Sequence, residues 1–218
     1  MTPADLAFTS AAELAAMIRA KRISATEVMR ATLARAEKAQ AALNCFITIC
    51  ADEALRDAQA ADAAVAKGGA LGPLHGVPFH VKDLVNTKDV RTTFASHMYE
   101  HNVPKDDSVS VARLKQAGAI VMGKTTTPEF GHMPYTEAPL FGRTRNAWAA
   151  DRTSGGSSGG AAVALAAGVC PIGIGTDAGG STRIPAAASA TAAPPDDPPL
   201  VRSAAQALRV RPNSGASV

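Results

Sequence analysis

Side-chain bulk is what this chain lacks. Of its 101 hydrophobic-class residues, 47 are alanine, while Leu, Ile, Val and Phe together number 42 in a length of 218. Large apolar side chains carry most burial energy, roughly 1.5–3 kcal/mol each when fully buried, so the core is thin for the length. At about 150 residues per domain, the chain has room for one domain, or one plus a fragment.

Other broad properties narrow the class. The net charge is +3 with acids and bases interleaved, so no single basic face offers itself to nucleic acid. No apolar run approaches the roughly 18 residues that span a bilayer, so no membrane partner is expected. Met1–Phe8 has neither a basic nor an apolar leader region. Cys45, Cys50 and Cys170 are odd in number and include no Cys-x-x-Cys pair, which points away from a disulfide framework and toward a reducing cytoplasm.

The first third reads as helical. Ser10-Ala-Ala-Glu13 and Ser24-Ala-Thr-Glu27 both fit the capping box, opening helices over about 11–21 and 25–42. Residues 51–67 form a third helix closed by Gly68-Gly69. Beyond Gly72-Pro73 the texture alternates. Val77–Val81, Ala119–Met122 and Cys170–Ile174 read as strands; Ser108–Ala117 and Gly159–Ala167 read as helices. Such alternation predicts an α/β fold with a mixed, partly parallel sheet covered by helices.

Several familiar patterns match by letter and fail by context. Gly118–Thr125 satisfies the P-loop expression, but its four variable positions are apolar and read as a strand bounded by glycines. His97-Met-Tyr-Glu-His101 matches an inverted zincin pattern, yet Asn102, Val103 and Pro104 leave little helix to hold two ligands, and no metal is expected. Gly173–Ala178 resembles a dinucleotide fingerprint without room for its helix before Ile184-Pro185. Gly155–Gly159 resembles a nucleophile elbow, but the last histidine is His132, so no histidine follows the serine.

Three segments survive. Gly76–Asp83 puts Lys82 at the end of an apolar strand; Gly155–Gly160 brackets Ser157 and Ser158 with glycines; Gly175–Arg183 places Ser181 after two glycines. A serine hydroxyl needs a base to become nucleophilic. Lysine can be that base when burial keeps it neutral. The segments thus offer a Ser-Lys arrangement with a second serine to relay the proton. Backbone N–H groups near Ser181 would stabilise an oxyanion.

Together these segments resemble the amidase signature family. The likeness runs from about residue 10 to 187, is densest in Gly155–Gly160 and Gly173–Ala187, and includes Pro128-Glu-Phe-Gly131. The separations, 75 residues from Lys82 to Ser157 and 24 from Ser157 to Ser181, fit it as well. The resemblance implies that Ser181 is the nucleophile, Ser157 a bridging serine on a cis peptide after Gly156, and Lys82 the general base. It implies an oxyanion hole of the N–H groups of Ala178, Gly179, Gly180 and Ser181. Asp177 and Arg183 would brace the loop and Ser158 would support Lys82. No cofactor is implied. The partner would be a small-molecule amide, hydrolysed to a carboxylate and ammonia or an amine.

The same resemblance implies an amidase signature fold incomplete at its C-terminus, with residues 1–187 as its N-terminal part. Residues 188–218 leave the family pattern. The last 33 residues carry five of the 14 prolines and no aromatic residue, Ile or Lys, a composition expected to be disordered or to come from a shifted reading frame. Two alternatives stand beside a free amidase: the ammonia-releasing component (the A subunit) of a tRNA-dependent amidotransferase, and a non-catalytic remnant. Oligomeric state has no signal in the sequence.

Overall fold

The computed structural model describes residues 6–185; the expectation for residues 188–218 lies outside them. Helix α1 (Ala11–Arg19) starts at Ser10, whose Oγ accepts the Glu13 N–H at 3.2 Å. Helix α2 (Ala25–Leu43) has the full reciprocal cap: Glu27 N–H donates to Ser24 Oγ at 3.0 Å, and Ser24 N–H donates to the Glu27 carboxylate at 2.8 Å. Each cap satisfies helix-end donors that would otherwise be orphaned. Between α2 and helix α3 (Ala51–Lys67) the chain makes a short strand, β1 (Phe46–Ile49), inside the region expected to be wholly helical.

The remaining elements are β2 (Pro78–Lys82), α4 (Val109–Gln116), β3 (Ile120–Thr125), the hairpin strands β4 (Glu137–Ala138) and β5 (Gly142–Arg143), α5 (Gly159–Ala166) and β6 (Ile172–Ile174). The main sheet runs β1-β3-β2-β6. β2 is parallel to both β3 and β6, and β1 joins β3 antiparallel, so the sheet is mixed as expected. Every residue of β2 and β3 is buried. Strands covered on both faces read as continuous apolar runs, which is why their periodicity gave no inside and outside.

Alanine does the packing that bulk cannot. Ala54, Ala58 and Ala61 lie buried along α3 at helical spacing, and Ala36 and Ala39 do so on α2. These faces belong to the main core with Leu14, Ile18, Met29, Leu33, Phe46 and Met122. A smaller cluster of Phe79, Val81, Val85, Val111, Ala119 and Val121 forms a second core with α4. The GKT segment matching the P-loop expression is the buried end of β3. Lys124 Nζ donates to Val85 O at 2.6 Å, Thr92 Oγ1 at 2.8 Å and Thr87 Oγ1 at 3.0 Å, so it holds its own chain rather than a phosphate.

His80 sits in the middle of β2, fully buried, with neither ring nitrogen hydrogen-bonded. Its partner in register on β6 is Gly173, where a Cβ would run into the imidazole Cε1; only glycine admits the ring. Phe46 meets the ring edge-on at 6.0 Å. Burial pushes the His80 pKa down to about 3.

The folded chain therefore refuses a proton that the unfolded chain takes up below about pH 6.5. Stability from this source is complete above that pH and drains away as pH falls toward 3. The His80→Leu chain is expected to out-melt the parent by a wider margin at pH 4 than at pH 7. Each kcal/mol of difference moves the midpoint by about 2–4 °C at this chain length. Melting curves of both chains at the two pH values check this; an unchanged margin would refute it.

Candidate active site

Lys82 ends the central strand, fully buried, and Asp83 N–H fixes the turn that follows by donating to Thr125 O at 3.0 Å. The Lys82 Nζ reaches three hydroxyls: Ser157 Oγ at 2.8 Å, Ser158 Oγ at 2.9 Å and Thr176 Oγ1 at 2.8 Å. Two of the three stand among the sequence-derived site residues. Thr176 does not, because a threonine beside a glycine in a loop carries no signal until the fold turns its hydroxyl toward the lysine.

The serine pair is placed by backbone. Gly155 and Gly156 both take left-handed conformations, φ 71° and 64°, and α5 begins directly after Ser158. Gly156 is clamped on both sides: its N–H donates to Pro134 O at 2.6 Å, and its carbonyl accepts the Thr136 hydroxyl at 2.7 Å. The cis peptide implied before Ser157 is not found. Every peptide bond in the described residues is trans, and the two left-handed glycines make the reversal instead. A Cβ on Gly156 would lie 2.7 Å from Ser181 O, so the serine pair and the Ser181 loop pack backbone to backbone. Ser158 N–H also donates to Ser181 O at 3.1 Å.

Burial pushes the Lys82 pKa down to about 7, against a smaller opposing pull from Asp177. A neutral amine donates two hydrogen bonds and accepts one. Ser158 cannot be the donor to it, because its single proton goes to Thr176 O at 3.0 Å. The Ser157 hydroxyl has Lys82 as its one hydrogen-bond partner among the described residues. Its proton is therefore free to point at the amine.

The Ser181 loop is folded around one carboxylate. Asp177 Oδ1 accepts Gly180 N–H at 2.7 Å, and Oδ2 accepts the N–H groups of Thr182 at 3.3 Å and Arg183 at 3.1 Å. The Arg183 guanidinium closes a two-pronged pair on the same carboxylate at 2.9 and 3.0 Å, holding it well below the usual carboxylate range. The four expected donors differ in their partners. Gly180 N–H is committed to Asp177, leaving the N–H groups of Ala178, Gly179 and Ser181 without a partner among the described residues. The Ser181 side chain is half-buried, and no hydrogen bond joins it to Ser157 among the described residues.

The histidine pair expected to lie in a loop does so. His97–Tyr99 is a single 3-10 turn, and His97 faces Glu100 at 3.5 Å. Cys45, Cys50 and Cys170 are buried free thiols whose pKa values burial raises, so none is primed as a nucleophile.

The profile of the Amidase family matches residues 27–192. The chain is 46% identical over 183 residues to the A subunit of the glutamyl-tRNA(Gln) amidotransferase of Acidothermus cellulolyticus, covering 84% of this chain and 36% of that protein. It is 48% identical over 165 residues to the corresponding protein of a Roseiflexus species, covering 76% and 34%. Among solved structures it superposes on a fatty acid amide hydrolase with a TM-score of 0.82 at 33% identity, over 86% of this chain and 33% of that one. A bacterial aryl acylamidase of the amidase signature enzymes gives 0.79 at 34% identity, over 83% and 38%. The chain thus spans a little over a third of the length of the curated relatives it matches.

The Lys82 amine is expected to titrate with a midpoint near 7 in the folded chain, measured from the lysine Cε and Hε resonances by NMR. Its folded pKa lies below the ordinary 10.5, so folding is expected to gain stability as pH rises from 7 toward 10.5. Lys82→Met would abolish that gain. A midpoint near 10 would contradict the buried, neutral lysine.

Proposed function

The chain belongs to the amidase signature family, and on that premise we propose that it hydrolyses a carboxamide to a carboxylate and ammonia or an amine. The observation that carries this reading is the fully buried Lys82 amine 2.8 Å from the Ser157 hydroxyl. Neutral Lys82 takes the Ser157 proton as Ser157 takes the proton of Ser181. The freed Ser181 Oγ attacks the amide carbon, and the carbonyl oxygen becomes an oxyanion within reach of the Ala178, Gly179 and Ser181 N–H groups. Collapse breaks the C–N bond, with the proton returning through Ser157 to the leaving nitrogen. Water then cleaves the acyl-serine by the same route. Asp177 and Arg183 hold the loop, and Ser158 and Thr176 hold the amine.

A second reading has its own support: the curated relatives quoted above are components of glutamyl-tRNA(Gln) amidotransferases. On that reading the carboxamide is one whose ammonia passes to a partner protein, and the chemistry at Ser181 is unchanged. Glutamine-dependent ammonia release that requires the partner protein separates it from a free amidase. The buried reduced thiols support a cytoplasmic setting. No helix among the described residues is long and apolar enough to cross a membrane.

A fluorophosphonate probe is expected to label Ser181 of the 218-residue chain. Ser181→Ala should abolish labelling. Lys82→Ala should slow it by about 10²–10⁴-fold, the usual worth of a positioned base. Peptide mapping of the adduct checks both. Labelling that survives either substitution undiminished would refute the assignment.

A further inference from the structure

Beside Ser157 lies a set of strained and aromatic residues that the chemistry above leaves unused. Phe94, Ala95 and Phe130 all occupy the left-handed region, with φ of 53°, 56° and 50°. Residues other than glycine hold that conformation only where the surroundings enforce it, and such strain gathers at functional sites. Here the enforcement is visible. Phe130 N–H donates to Phe94 O at 2.9 Å, and Phe94 N–H donates at 3.1 Å to the carbonyl of Asp83, the residue after Lys82.

The strained backbone presents rings in series. Phe94 meets Tyr99 edge-to-face at 5.2 Å, and Tyr99 meets Phe130 edge-to-face at 6.0 Å. The outer end of the series is open to solvent: Tyr99 is 40% exposed and Phe130 53%. It is also next to the reacting groups. Gly131 follows Phe130, and a Cβ there would lie 3.7 Å from Ser157 Oγ. On the Ser181 side, exposed Ile184 packs within 3.0 Å of where a Cβ on Gly180 would stand. Apolar residues thus stand in the segments next to both serines.

We propose that the Phe94–Tyr99–Phe130 ladder is a specificity wall for an amide bearing an aromatic ring, with Phe130 the residue that stacks on that ring. The proposal rests on the amidase reading and names its substrate class. The ladder offers a substrate two phenyl rings and a phenol. A glutamine side chain, with its own carboxylate and ammonium close behind, gains little from such a wall, whereas a third ring extends the series.

The test uses the full chain carrying Ser181→Ala, so that ligands bind without turnover, and follows NMR titrations. Benzamide and acetanilide place the ring on the acyl and amine sides respectively; propionamide and glutamine carry none. At least one aromatic amide is expected to bind more tightly than both aliphatic ones. Adding Phe130→Ala is expected to weaken that aromatic ligand by about three- to tenfold, the worth of one ring contact, without changing propionamide. Phe130→Tyr should restore binding, and Phe130→Leu, which keeps bulk but no ring, should not. Equal affinity for aromatic and aliphatic amides, or indifference to Phe130→Ala, would overturn the proposal. Fluorophosphonate labelling of the parent without aromatic preference would fail the wall alone. Ring-dependent binding without labelling would fail the amidase reading and leave the wall standing.

Discussion

A lysine ammonium is strongly disfavoured out of water, and the architecture around Lys82 is arranged to make that position tolerable as a neutral amine. The strand that carries it is central and wholly buried. The hydroxyls that receive it come from two distant stretches, 157–158 and 176. Bringing those stretches together requires α5 to start at Ser158 and β6 to pair with β2, so that Thr176 emerges two residues beyond the strand. The sheet order, the glycine pair before Ser157 and the alanine-rich α5 all follow from converging on one nitrogen. Desolvation pushes the Lys82 pKa down, whereas the nearby Asp177 pulls it back by less.

The same convergence explains a core poor in bulk. Small side chains let α2 and α3 close on the sheet, and buried polar groups, Lys124 foremost, share the interior with them. Lys124 gives all three of its protons to one carbonyl and two threonines, with Asp83 4.0 Å away. That hub ties the segment after Lys82 to the next strand, on the sheet face opposite the serines. Burying a charge this way is tolerable only because each donor is matched. His80 is different, a buried imidazole with both ring nitrogens unmatched.

Much of this was readable in the residues. Helix starts at Ser10 and Ser24 were legible because a side-chain oxygen three residues before a glutamate is a local device that needs no tertiary context. The strand-helix alternation beyond Gly72 was legible for the same reason. β1 was not: Phe46-Ile-Thr-Ile49 is four residues long, and its strand state comes from pairing with β3, far along the chain. The three catalytic-type residues carried motif signals, but Thr176 did not, since its place beside Lys82 depends on β6. Nor could letters reveal that Gly180 N–H donates to Asp177. Those facts are set by dihedral angles rather than by residue type.

The Asp177 carboxylate gathers Gly180, Thr182 and Arg183 within six residues of itself. The Ser181 loop is therefore shaped both by its own carboxylate and by the serine pair packed against it, Ser158 N–H donating to Ser181 O at 3.1 Å. Most strand-borne sites inherit their geometry from the body of the domain and lose it when the body drifts. A loop with its own internal brace is partly modular: walls that touch neither the carboxylate nor the serine pair can diverge while the seat of Ser181 stays constant. Diversification of what such a scaffold accepts would then come easily, because changes to the walls need not disturb the seat.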